Sequence, residues 1–279
     1  MAPKDLADAL LRGMGQIMLQ DNALTGALFL LGILANSWQM LLCALLGVAS
    51  GTAAAYLLKY DKKETAHGLY GFNAALVGVG LLFFFQPSAM LIALIIAGSA
   101  LSTMIMNFMH RRKMSPYTFP FILSTWIIIA LAAATGILAP QPPSPAAPAL
   151  LDITSALSMS LSQVMFQANI LTGALFLAAI LANSRANALY ALLGSLVGML
   201  AALALSFPLG LISIGIFGYN GVLCGIAFAG GKKRALTFAI ASSALSVLII
   251  SAFSAYGIPA LTAPFVFSTW IMLALSKKM

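Results

Sequence analysis

The stretch "YTFPFILSTW" (residues 117–126) returns later in the chain as "LTAPFVFSTW" (residues 261–270). Thr118, Pro120, Phe121, Ser124, Thr125 and Trp126 recur as Thr262, Pro264, Phe265, Ser268, Thr269 and Trp270. An apolar chain repeats Leu and Ala by accident. A Thr-x-Pro-Phe block with a Ser-Thr-Trp tail is not such an accident. Outward from it the repeat widens. "NALTGALFLLGILANS" (22–37) answers to "NILTGALFLAAILANS" (169–184), and "GLYGFNAALVG" (68–78) to "GIFGYNGVLCG" (215–225), both 147 residues later. Gln16 answers to Gln163 at the same offset. Thr118 and Thr262 stand 144 apart, so the second copy lacks three residues in between. The chain is a duplication.

Its composition points to the bilayer. Of 279 residues 62% are hydrophobic and 7% charged, with a mean hydropathy of +1.03. A soluble domain of this size needs a far more charged shell. Long apolar runs indicate a helical membrane protein rather than a barrel. Ten such runs are read at 23–37, 38–58, 68–85, 88–110 and 117–135, then 170–183, 186–206, 215–230, 235–253 and 259–276. Short amphipathic stretches near 6–20 and 152–168 precede the two sets. The Pro-rich "APQPPSPAAP" (139–148) separates them and reads as a linker. The expected domains are therefore 1–138, a linker at 139–151, and 152–279. The start of the chain does not read as a signal peptide. Cys43 and Cys224 lie in apolar runs and are expected simply to pack.

Five spans per half is an odd number, so the second half is expected upside down relative to the first. With that topology all 14 basic residues fall on one side of the membrane. The positive-inside rule then puts both termini in the cytoplasm. The net charge of +8 is accounted for by topology, and no nucleic-acid partner is read from it.

No acidic residue lies mid-segment: the six are Asp5, Asp8, Asp21, Asp61, Glu64 and Asp152. Ion-coupled carriers place ionisable groups inside the membrane, so an uncharged solute moving down its gradient is expected. No carboxylate or His cluster supports an enzyme, and no metal or cofactor is expected. The interior offers neutral polar groups instead. Gln16 and Gln163 lie in the amphipathic stretches, and Thr118 and Thr262 open the fifth segment of each half. Pro120 and Pro264 lack an N–H and are expected to leave upstream carbonyls without helical partners. Phe72, Phe166 and Tyr219 supply flat walls. Asn73 and Asn220 are read as structural ties at helix ends. The lining is mostly acceptors, which suits a small, planar, neutral solute rich in N–H donors. A short amide, ammonia or water are the alternatives; ammonia is disfavoured because neither His67 nor His110 lies deep.

"SPYTFPF" (115–121) and "IPALTAPF" (258–265) resemble the Leu-Pro-x-x-Thr-x-Pro-Phe signature that occurs once per half in the urea transporter family. "GLYGFNAALVG" and "DNALTG" are similar to that family too, and the likeness runs from about Gln16 to Trp270. It implies an all-α integral membrane fold of two inverted homologous halves, with ten transmembrane helices plus two re-entrant helices around a central pore in each protomer of a homotrimer. It implies channel-like passage of urea, whose amides bond to ladders of oxygen atoms while its faces slide between side chains. It assigns Gln16 and Gln163 to the re-entrant helices, and Leu19 and Phe166, three residues further on, to the slots. Phe72 with Leu76 and Tyr219 with Leu223 match the other slot walls, and Thr118 and Thr262 the filter threonines. Leu19, where the family often has Phe, and Tyr219 are departures, as are "SP" and "IPAL" at the signature's opening. Short loops and the lack of an Asn-x-Ser/Thr acceptor site suggest a bacterial inner membrane.

Overall fold

Helix length sorts the apolar segments into two kinds. The structure, a computed structural model, describes residues 3–142, 150–230 and 234–276. Lys232, Lys233, Lys277, Lys278 and most of the Pro-rich stretch (143–149) lie outside the described residues. The chain divides into two units, Met1–Ser144 and Pro145–Met279. The first holds α1 (Pro3–Gln16), α2 (Ala23–Asn36), α3 (Trp38–Leu57), α4 (Lys62–Ala66), α5 (Phe72–Phe84), α6 (Ala89–Arg111) and α7 (Phe119–Thr135). The second holds α8 (Ile153–Gln163), α9 (Ile170–Asn183), α10 (Arg185–Ala204), α11 (Leu209–Ser213), α12 (Tyr219–Phe228), α13 (Ala235–Ala255) and α14 (Ala263–Ser276).

Four helices, α3, α6, α10 and α13, have 20 to 23 residues and are apolar enough to cross a membrane. At about 1.5 Å per residue they reach roughly 30 Å, the thickness of a bilayer's hydrocarbon core. The other apolar helices, α2, α5, α7, α9, α12 and α14, have 10–17 residues. Large apolar side chains such as Leu24, Leu31, Leu57, Leu171, Leu189 and Leu200 stand exposed. A chain like this is an integral membrane protein, because lipid tails accept that surface and water does not.

Local chemistry starts many of these helices. Asn22 and Asn169 accept from the N–H groups of Thr25 and Thr172 at the starts of α2 and α9. Ser37 and Ser184 do the same for α3 and α10, and Ser88 for α6. Asp61 caps α4 through the N–H groups of Lys63 and Glu64. This short helix and its counterpart α11 lie just before the apolar runs 68–85 and 215–230. The chain is broken at the first residues of these runs. Gly68 (φ 76°) and Gly215 (φ 81°) take left-handed backbone, and helix resumes only at Phe72 and Tyr219. Neighbouring backbone also fills the space a side chain would need. A Cβ on Gly68 would lie 2.2 Å from the Gly13 nitrogen, and one on Gly215 would lie 2.4 Å from that of Ser160.

Close backbone approach also packs α1 on α2 and α8 on α9. A Cβ on Gly26 would meet the Leu11 carbonyl oxygen at 1.8 Å, and one on Gly173 would meet that of Ser158 at 1.9 Å. At the centre of the first unit, α5 is enclosed by α3, α6 and α7, with every residue from Phe72 to Leu82 buried. The second unit encloses α12 among α10, α13 and α14. Ser99 of α6 donates to the Ala74 carbonyl, and Ser243 of α13 to that of Gly221. These serines keep the 144-residue offset, so the three missing residues are lost before α13. α12 has 10 residues against 13 in α5. The Pro-rich stretch begins attached to the first unit: Gln141 donates its side-chain amide to the carbonyls of Leu82 and Phe85 at 3.1 Å each, closing the end of α5.

Candidate functional site

Two turns and two helix starts gather the candidate residues of the first unit. Gln16 ends α1, and its Nε2 donates to the His67 carbonyl at 3.2 Å. Its Oε1 remains an acceptor. The turn beyond α1 carries Leu19 at φ 59°. The second unit repeats both features: Gln163 Nε2 donates to the Ile214 carbonyl at 3.0 Å, and Phe166 has φ 60°. Left-handed backbone costs a bulky residue roughly 1–2 kcal/mol. Such strain persists where surrounding structure imposes it, commonly at functional sites. A second strained pair, Tyr117 (φ 47°) and Leu261 (φ 48°), directly precedes Thr118 and Thr262.

The prolines begin helices rather than interrupt them, which corrects the expectation of freed carbonyls. Pro120 and Pro264 fall in the first turns of α7 and α14, where no N–H is required. The carbonyls upstream have partners. Pro116 accepts from the Phe119 N–H and Ala260 from the Ala263 N–H, both at 3.0 Å. Tyr117 accepts from Asn73 Nδ2 at 3.2 Å, and Leu261 from the Tyr219 hydroxyl at 2.5 Å.

Asn73 is therefore a clamp. Its Oδ1 also accepts from the Phe121 N–H at 3.0 Å, so one amide grips the chain on both sides of Thr118. Thr118 makes no side-chain cap for α7; Asn73, from a neighbouring helix, satisfies an N–H that a cap would otherwise take. Asn220 Oδ1 holds the Phe265 N–H in the same way at 3.0 Å. Thr118 and Thr262 are each 2% exposed, and Phe72 is buried. Leu76 and Leu223 have no exposed surface, whereas Gln16, Leu19, Gln163, Phe166 and Tyr219 are half-buried.

The first unit also carries an ionic cluster beside Gln16 that the sequence did not disclose. Arg12 Nη1 lies 2.9 Å from Asp21 Oδ1, and Arg12 Nε lies 2.5 Å from Asp8 Oδ2. His67 Nδ1 lies 2.6 Å from Asp21 Oδ2. Desolvation pushes the Asp21 carboxyl up, but the hydrogen bonds from Arg12 and His67 outweigh it and hold its pKa below the ordinary value. Only the Asp8–Arg12 spacing of one helical turn was legible beforehand; the His67 contact spans 46 residues of chain. Among the described residues no group of three or more His, Cys, Asp or Glu side chains is placed to hold a metal ion.

A family model described as urea transporter matches residues 7–277. The chain is 30% identical to urea transporter 1 of Rattus norvegicus over 97% of its own length and 77% of the relative's. Coverage is the same for urea transporter 1 of Mus musculus at 29% identity and of Ovis aries at 30%. The family consists of transporters, so the chain is not an enzyme. Its duplicated helix starts and apolar helices, and a family match over nearly its whole length, lead to one conclusion: the chain belongs to the urea transporter family.

Proposed function

We propose that the protein carries urea across the membrane passively, through a channel-like path lined by oxygen atoms and walled by flat side chains. One observation carries the reading: in both units a bulky residue at positive φ and a glutamine close one helix, while a strained residue and a buried threonine open another. These groups are neutral, and the oxygens of Thr118, Thr262, Gln16 and Gln163 accept hydrogen bonds. Urea presents N–H groups along both flanks and one carbonyl. Its N–H edges pass along the threonine and glutamine oxygens. Leu19, Phe72 and Leu76, with Phe166, Tyr219 and Leu223, flank its faces. The relatives' names support urea as the solute.

In this reading the halves are inverted copies that line one path, ten helices span the bilayer and two are re-entrant, and three protomers assemble with a pore in each. The membrane is a bacterial inner membrane with both termini in the cytoplasm. The acidic residues lie outside the apolar helices, so no carboxylate is available there to couple transport to an ion. Urea uptake into proteoliposomes is the test. The initial rate is expected to be the same with or without an imposed pH or sodium gradient. Accumulation above the external concentration, driven by either gradient, would overturn passive transport. Acetamide, water and ammonia run alongside decide whether another small neutral solute is preferred.

A further inference from the structure

The two clamps are built from different atoms. In the first unit the Asn73 amide does both tasks, donating to the Tyr117 carbonyl and accepting from the Phe121 N–H. In the second unit the donating task belongs to Tyr219, whose hydroxyl reaches the Leu261 carbonyl. Asn220 keeps the Phe265 N–H, and its buried Nδ2 lies near the Tyr219 hydroxyl oxygen without making a well-formed hydrogen bond. The position equivalent to Tyr219 is Phe72, so the hydroxyl has no counterpart in the first unit.

A tyrosine hydroxyl has one proton. With that proton committed to the Leu261 carbonyl, the remaining lone-pair capacity of Tyr219 Oη can only accept. Donating to a carbonyl also polarises the oxygen and makes it a better acceptor. It is bonded to the residue directly before Thr262, and Tyr219 is half-buried where Asn220 is fully buried. We infer that Tyr219 Oη is a solute-contacting oxygen of the second half, one acceptor beyond those the first half offers. It favours solutes with N–H groups on both flanks of a carbonyl over those with an amide on one flank and a methyl on the other. This inference rests on the pore reading above.

Tyr219→Phe tests it, because the change recreates the Phe72–Asn73 pair. With the Tyr219 hydroxyl gone from the Leu261 carbonyl, Asn220 Nδ2 is expected to take it as Asn73 takes that of Tyr117, which retains the structural tie. Urea and acetamide permeabilities are measured in proteoliposomes, with the melting temperature of the solubilised protein. The urea-to-acetamide ratio is expected to fall about threefold to tenfold, the effect of one lost hydrogen bond, while the melting temperature holds. An unchanged ratio overturns the inference. So does an equal loss of both solutes with a lowered melting temperature, which assigns the hydroxyl to folding alone. Thr262→Val separates the two readings. If it slows urea while Tyr219→Phe leaves the ratio intact, only the inference fails; if neither variant alters urea flux, the pore reading fails with it.

Discussion

The turn after α1 and the turn after α8 share a backbone and differ in charge. Leu19 and Phe166 are at φ 59° and 60°, and a glutamine before each donates to a carbonyl across the next turn. Around the first turn stand Arg12, Asp21 and His67 in contact; Met159, Ala168 and Ile214 stand in their places around the second. The contrast extends outward. Tyr60 and Tyr70 border a polar cavity of about 580 Å³ together with Glu64, Asn107 and His110. Their counterparts Phe207 and Phe217 stack with ring centroids 4.4 Å apart. Deeper in, Ser124 Oγ and Thr125 Oγ1 are buried without partners, while Ser268 and Thr269 meet Cys224, which replaces Val77. What the repeat holds constant is strained backbone and an asparagine oxygen on the N–H of Phe121 or Phe265. What differs is the chemistry that surrounds them, so each half can be tuned without disturbing the helix starts.

The largest effect is expected at what the halves share. Thr→Val keeps the shape and removes one acceptor, and an unmet buried polar contact costs about 1–3 kcal/mol. Thr118→Val and Thr262→Val are each expected to slow urea about tenfold or more, since about 1.4 kcal/mol is one decade in rate. If both lie on one path, the double variant is slower than either. A double variant that transports at the original rate would remove both threonines from the path.

Next come the clamps, where the halves should separate. Asn73→Ala strands two backbone groups, the Tyr117 carbonyl and the Phe121 N–H. Asn220→Ala strands only the Phe265 N–H, because Tyr219 keeps the Leu261 carbonyl. At about 1–3 kcal/mol for an unsatisfied buried group, Asn73→Ala should lower the melting temperature more. Equal losses would mean that Tyr219 does not take over the clamp's second task.

The smallest effect belongs to the ionic cluster, which is partly exposed and screened by solvent. Because Asp21 titrates below its ordinary value of 3.8 in the folded protein, its ion pairs stabilise the first unit above that pH. The contribution is lost as pH falls through the lowered pKa. Asp21→Asn should therefore lower the melting temperature slightly at neutral pH, and the difference from the unaltered protein should vanish in acid. A difference that grows on acidification would contradict this linkage.

Hydropathy and repetition in the sequence alone determined that the chain is helical, enters a membrane and duplicates its polar blocks. Those signals are local: a run of apolar residues declares itself in any window, and a repeated Thr-x-Pro-Phe block needs no partner to be recognised. Asn73 and Asn220 were legible as helix ties for the same reason. The partners of those ties were decided only by tertiary structure. Pro120 reads as a kink until its place in the first turn of α7 is known. Tyr219 reads as a flat wall until its hydroxyl is found on the Leu261 carbonyl, 42 residues away, and His67 reads as an edge residue until it meets Asp21. A hydrogen bond depends on ångström-scale approach between segments far apart in the chain, and no local pattern of residues encodes which carbonyl an amide or hydroxyl will reach.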